Sequence, residues 1–154
     1  MYRLMVLQKE KIKILFLCTG NSCRSQMGEG WLRHLYGDYI DAYSAGTLAQ
    51  GLNPNAVKVM QEFGVDIAGH HSKTVADLAD IDFDYVVTVC DNARSSCPEF
   101  PGGATVIHNQ FDDPPALAKS AATEEEALGH YRRVCGEVRD WVQTIPQALG
   151  LAKP

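Results

Sequence analysis

The chain has 154 residues, 45% of them hydrophobic and 21% charged, and a formal net charge of −5. This length and balance suit one globular domain with a real core. The acidic sign and the lack of a long basic run argue against a nucleic-acid binder, and no apolar run approaches the roughly 18 residues that cross a membrane.

Met1 to Glu10 combine a short apolar stretch with a charged end. They read as an extension covering residues 1–11 and not as a secretory signal. Residues 12–150 then read as a single catalytic domain. Five cysteines without an export signal suggest a reducing compartment, the cytoplasm, and thiols with chemical roles.

Ile12 to Leu17 is a near-continuous apolar run, as expected of a strand buried on both faces. It leads into Cys18-Thr19-Gly20-Asn21-Ser22-Cys23-Arg24-Ser25, and a helix is predicted from Ser25 to about Tyr36, with Met27, Trp31, Leu32 and Leu35 inward. A loop entering a helix presents free backbone N–H groups, a nest for an oxyanion. Gly20 is expected to take a positive φ, and Asn21 tolerates one. Arg24 offers a planar fork for two anion oxygens. The same dipoles favour the thiolate of Cys18, and Ser25 can donate to its sulfur. Cys23 reads as a structural or protective thiol.

Tyr39 to Ser44 reads as a second strand. Asn53 as cap and Pro54 as first residue open another helix, with Val57, Met60 and Phe63 inward and Gly64 as its stop. His70 and His71 are adjacent, poor spacing for a metal pair, and read as surface residues. A short helix is expected over Thr74 to Leu78. Asp84 to Cys90 reads as the third strand and Thr105 to His108 as the fourth. Phe111 to Pro115 reads as a loop. A long helix is predicted from Thr123 to about Leu149, opened by a capping box of Thr123 and Glu126, with Pro146 as a stop or kink. Cys135 on its apolar face reads as an inert core thiol. Alternating strands and helices imply a parallel sheet with helices on both sides, whose ligands bind at the carboxyl ends of the strands. Cys18 and Cys90 both lie at such ends.

Cys90 and Cys97 are seven residues apart. On a helix their Cα atoms would lie roughly 10.5 Å apart, beyond the ~7 Å that a disulfide allows. If they join, Asp91 to Ser96 must unwind or loop out. The spacing alone is equally compatible with two unrelated thiols.

The loop resembles that of the low-molecular-weight protein tyrosine phosphatases, and more closely that of the thioredoxin-coupled arsenate reductases built on the same fold. The phosphatases usually carry proline after Arg-Ser, where Gln26 stands here. Asn53-Pro54-Asn55-Ala56-Val57 and Asp112-Asp113-Pro114 match the reductases as well. The resemblance covers roughly Lys13 to Gln147. It implies a three-layer α/β/α fold with a four-stranded parallel sheet of order 2-1-3-4. It also implies a nucleophile at Cys18, an oxyanion loop of Thr19, Gly20, Asn21, Ser22, Cys23, Arg24 and Ser25, and a general acid at Asp113, with Asp112 as its competitor. Cys90 and Cys97 match the cysteines that complete a disulfide relay. Asn21 and Ser44 match positions that brace the anion loop.

The function implied is arsenate reduction with electrons from reduced thioredoxin, no bound cofactor, no metal and a monomeric chain. Some members bind potassium through an aspartate near the position of Lys73. A lysine there implies no potassium dependence and a positive charge that assists Asn21 and Cys18. The alternatives are a low-molecular-weight phosphatase with only weak grip on an aryl ring, since Pro114-Pro115-Ala116 supplies no aromatic, and a non-catalytic oxyanion or redox sensor.

Overall fold

The computed structural model describes residues 11–90 and 103–150. The N-terminal extension, apart from Lys11, and the Cys97 segment lie outside that range. Four parallel strands, β1 (Ile12–Cys18), β2 (Ile40–Gly46), β3 (Tyr85–Thr88) and β4 (Thr105–His108), form one sheet of order β2-β1-β3-β4. This is the order expected. The central β1 is buried from Ile14 to Cys18, which explains its unbroken apolar sequence. Ile14 is level with Tyr85, and Leu17 with Ala45 and Thr88.

The helices are α1 (Arg24–Tyr36), α2 (Pro54–Glu62), α3 (Pro114–Ala118), α4 (Glu124–Val142) and α5 (Ile145–Ala148), with a 3-10 turn over Val75–Leu78. Phe16 points to the face that carries α1 and α4. A Cβ on Gly28 of α1 would fall on the Phe16 ring, and Trp141 of α4 meets that ring edge-on at 6.3 Å. The opposite face carries Leu15, level with Tyr43 and Val86, and Phe83 stands edge-on to Tyr43 at 5.3 Å. Among the described residues no helix is long and apolar enough to cross a membrane.

Several boundaries differ from the sequence reading. β2 runs to Gly46, two residues further than expected, and continues level with the end of β1. β3 ends at Thr88, although Val89 still donates its N–H to the Leu17 carbonyl at 3.0 Å. In α2 the buried residues are Ala56, Val59 and Met60, while Val57 and Phe63 are only half-buried. Gly64 ends that helix at φ +86°, the left-handed conformation that glycine takes without strain. The predicted loop at Phe111 to Pro115 turns into a helix at Pro114, because a proline in the first turn lacks only an N–H that would be unpaired anyway.

The long C-terminal helix is interrupted after Val142, and Pro146 falls in the first turn of α5 for the same reason. Its N-terminal cap is half as expected. Thr123 accepts from the Glu126 N–H at 3.0 Å, but the Glu126 carboxylate takes the N–H of Ala122, not that of Thr123.

Candidate active site

Strand β1 delivers Cys18 to the carboxyl edge of the sheet, and the loop from Thr19 to Cys23 connects it to α1. Most carbonyls along this stretch are taken by other segments. Cys18 O accepts from Thr47 N, Thr19 O from Leu48 N, Gly20 O from Gln50 N and Ser72 Oγ, and Ser22 O from Asn53 N, at 2.9 to 3.3 Å. In a trans peptide the N–H points opposite the carbonyl, so the loop turns its N–H groups inward. The result is a concave cradle of about 350 Å³ lined by Cys18, Thr19, Gly20, Ser22, Cys23 and Arg24. Gln50, Asn53, Asp113 and Pro115 form the remaining wall.

The positive φ in this loop belongs to Asn21, at 49°, and not to Gly20. A Cβ on Gly20 would meet only the far end of the exposed Gln50 side chain, which can move aside. Asn21 and Ser25 are fully buried and stand behind the cradle. Ser25 Oγ lies 2.9 Å from the Cys18 sulfur and accepts from Asn21 Nδ2 at 2.9 Å. Cys23 is also buried, and burial, reinforced by Asp113 and Cys18, pushes its thiol well above the ordinary range. It is therefore a protonated wall residue and not a second nucleophile.

Arg24 is held from behind by the Phe111 carbonyl, which accepts from its Nη1 at 2.9 Å. Its Nη2 lies 3.7 Å from Asp113, which overhangs the cradle. Asp112 turns away and accepts from Arg133 at 3.0 Å. Of the two aspartates only Asp113 therefore lines the cradle, while Arg133 of α4 draws Asp112 outward. Cys90 sits beside the loop, with its sulfur 3.4 Å from Thr19 Oγ1. Cys18 and Cys90 are both buried. The parallel pairing of β1 with β3 brings Cys90 to the same edge of the sheet as Cys18, although Cys90 is not among the residues that line the cradle. Cys135 packs on the Met60 sulfur, and burial raises its thiol to about 11, consistent with inert core packing.

Two expectations need correction. His70 is not a simple surface residue: its ring lies 3.0 Å from Gln26 Oε1 and 3.0 Å from Arg33 Nη1, whereas His71 is exposed. Ser44 gives its hydroxyl hydrogen to the buried carboxylate of Glu29 and not to the loop. Around Glu29 gather Arg33 at 2.7 Å and Lys73 and His70 at 3.8 Å each. Lys73 reaches Asn21 through its backbone N–H, at 3.0 Å to Oδ1, and its ammonium group turns to Glu29 and the His71 carbonyl. The sequence reading missed Gln26 and Glu29. The available signal was two polar residues one helical turn apart, beside the apolar positions of α1.

The family of low molecular weight phosphotyrosine protein phosphatases matches residues 13–144. An arsenate reductase of Halalkalibacterium halodurans is 46% identical over 134 residues, 87% of this chain and 94% of that protein. One from Bacillus subtilis is 48% identical over 129 residues, 81% and 88% of the respective chains. A solved arsenate reductase in a phosphate-binding state superimposes with a TM-score of 0.71 at 29% identity, covering 89% of this chain and 98% of that one.

Proposed function

The chain belongs to the low molecular weight phosphotyrosine protein phosphatase family, and from that footing we propose that it is an arsenate reductase driven by a three-cysteine relay. The observation that carries this reading is Cys90 against Thr19, the residue that follows Cys18. A phosphatase needs one nucleophile, one arginine and one acid; it has no use for a second thiol beside the anion loop.

Arsenate occupies the cradle, held by the inward N–H groups and by Arg24. Cys18 attacks arsenic, Asp113 protonates the departing oxygen, and water leaves a covalent thiol–arsenate adduct. Cys90 then attacks the Cys18 sulfur. The S–As bonding pair stays on arsenic, which goes from the +5 to the +3 state and departs as arsenite, leaving a Cys18–Cys90 disulfide. Cys97 attacks Cys90, frees Cys18 and carries the disulfide to a Cys90–Cys97 pair. Reduced thioredoxin takes it by thiol exchange, so no bound cofactor is required. Every group used comes from one chain, in keeping with a monomer, and thiol chemistry of this kind suits the reducing cytoplasm.

The wall of Gln50, Asn53 and Pro115 offers no aromatic surface for a phosphotyrosine ring, which supports a small inorganic anion as substrate. A phosphoryl adduct at Cys18 would only hydrolyse, because phosphorus(V) does not accept the electron pair. The test is NADPH oxidation with arsenate, thioredoxin and thioredoxin reductase. The wild-type chain is expected to turn over steadily, and Cys90→Ser and Cys97→Ser to lose turnover. Arsenate-independent behaviour, with an aryl phosphate hydrolysed equally by all three proteins, would replace this reading with a phosphatase.

A further inference from the structure

Behind the cradle, polar contacts run unbroken from the Cys18 sulfur to the His70 ring. Ser25 Oγ is 2.9 Å from the sulfur, and Asn21 Nδ2 is 2.9 Å from Ser25 Oγ. Gln26 Nε2 is 3.0 Å from Asn21 Oδ1, and Gln26 Oε1 is 3.0 Å from His70 Nδ1. Asn21, Ser25 and Gln26 are all fully buried.

Two donors that cannot reverse set the direction of every link. The backbone N–H of Lys73 lies 3.0 Å from Asn21 Oδ1, so that atom is the oxygen and Nδ2 must donate to Ser25. Ser25, accepting from Asn21, has its own hydrogen left for the sulfur. Gln26 Nε2 faces only carbonyl oxygens, those of the Asn21 side chain, the Asn21 backbone and His71, at 3.0 to 3.2 Å. It is therefore the nitrogen, and Oε1 must accept from His70 Nδ1–H. At the other edge of the ring the Arg33 guanidinium, 3.0 Å from Nε2, can only donate. Nε2 is thus bare, and His70 is the neutral Nδ1–H tautomer. Burial pushes the imidazole the same way, reinforced by Arg33 and Lys73 and opposed by Glu29 and Asp66.

We propose that Gln26 and His70 are positioning residues for Cys18: His70 orients the Gln26 amide, Gln26 orients Asn21, and the chain so aligned presents the Ser25 hydroxyl hydrogen to the sulfur and stabilises its thiolate. The assignment gives Gln26, which replaces the proline usual in the phosphatases, a role in the chemistry without contact to substrate. It rests on Cys18 being the nucleophile of the proposed reaction. Aligned hydrogen bonds polarise one another, so losing an outer link weakens the inner ones.

The test is the rate at which iodoacetamide alkylates Cys18 in the reduced full-length protein, read from the mass of the Cys18 peptide, in phosphate-free buffer from pH 5 to 10. Gln26→Met keeps the length of the side chain and removes both amide groups. It is expected to slow alkylation about tenfold at pH 6 and to match wild type at the alkaline end. His70→Leu is expected to give a smaller loss of the same shape, about threefold. His70→Asn, whose amide can replace the Nδ1–H donor, is expected to restore most of the rate. Curves that superimpose on wild type overturn the proposal. So does a loss that is equal at every pH, which signals a blocked site and not a changed thiolate. If Gln26→Met does not fold, the His70 pair decides by the same criterion. Arsenate turnover of the wild-type chain is measured alongside. Its absence would defeat the functional reading, while the alkylation curves would still judge the chain of hydrogen bonds.

Discussion

Asp112 and Asp113 are neighbours with the same side chain, yet their surroundings divide them. Asp113 overhangs the cradle beside Arg24, and Asp112 is turned outward to Arg133. Asp113→Asn is expected to lower arsenate turnover by roughly 10²- to 10⁴-fold, the usual worth of a general acid, and Asp112→Asn to leave it within about twofold, because an exposed ion pair contributes little. Steady-state NADPH oxidation distinguishes them, and equal losses would remove Asp113 from its role. His70 supplies a pH effect of definite sign. Its folded-state proton affinity is lowered chiefly by burial, so the unfolded chain binds more protons between the folded value and the ordinary ~6.5. Stability therefore rises with pH across that window and falls on acidification. Thermal melts from pH 7 to 5 are expected to show a decline that is shallower in His70→Asn, since asparagine does not titrate. A variant melting curve parallel to wild type at every pH would contradict this.

At the scale of elements, the caps were the most readable features and the buried faces the least. Asn53 and Thr123 cap α2 and α4 as predicted, because capping needs only the local chain. Thr123 stands far from the cradle in its contacts, so Thr123→Ala is expected to cost about 1 kcal/mol of stability and leave arsenate turnover unchanged. Urea unfolding and the turnover assay check both halves. Asn53 differs. Its side chain caps α2 through Asn55 and Ala56, donates to Tyr131 at 3.1 Å and borders the cradle, so its loss should affect stability and activity together. The buried positions of α2 were misjudged by one residue, since α2 packs against both α1 and α4 and its inward face is set by their angle, which periodicity does not contain. The breaks at Pro114 and Pro146 show the opposite case, a local rule read too strongly: proline was taken as the mark of a loop or a helix end where it opens a helix.

Across the whole molecule, the arginine of the site is tied to the core. Trp141 meets the rings of both Phe16 and Phe111 at 6.3 Å, and the Phe111 carbonyl holds Arg24. Trp141→Ala is expected to destabilise the fold by about 3 kcal/mol and also to weaken arsenate capture through a freer Arg24, seen as a raised KM at temperatures where the variant remains folded. An unchanged KM would separate core from site. The sheet order came from the family resemblance, and the sequence by itself determined the strand-to-helix cradle with its cysteine and arginine. Those features follow from contiguous residues, where backbone geometry and local dipoles act over a few positions. It also placed Cys18 and Cys90 at one edge of the sheet, because strand ends in a parallel sheet lie together there. Only the tertiary structure decided which aspartate faces the cradle, that Asn21 and not Gly20 takes the left-handed conformation, and that Gln26, Glu29, Ser44, His70 and Lys73 form one buried polar cluster. Those residues are up to 47 positions apart, from Gln26 to Lys73, and a polar side chain reads alike in sequence whether water or a buried partner satisfies it.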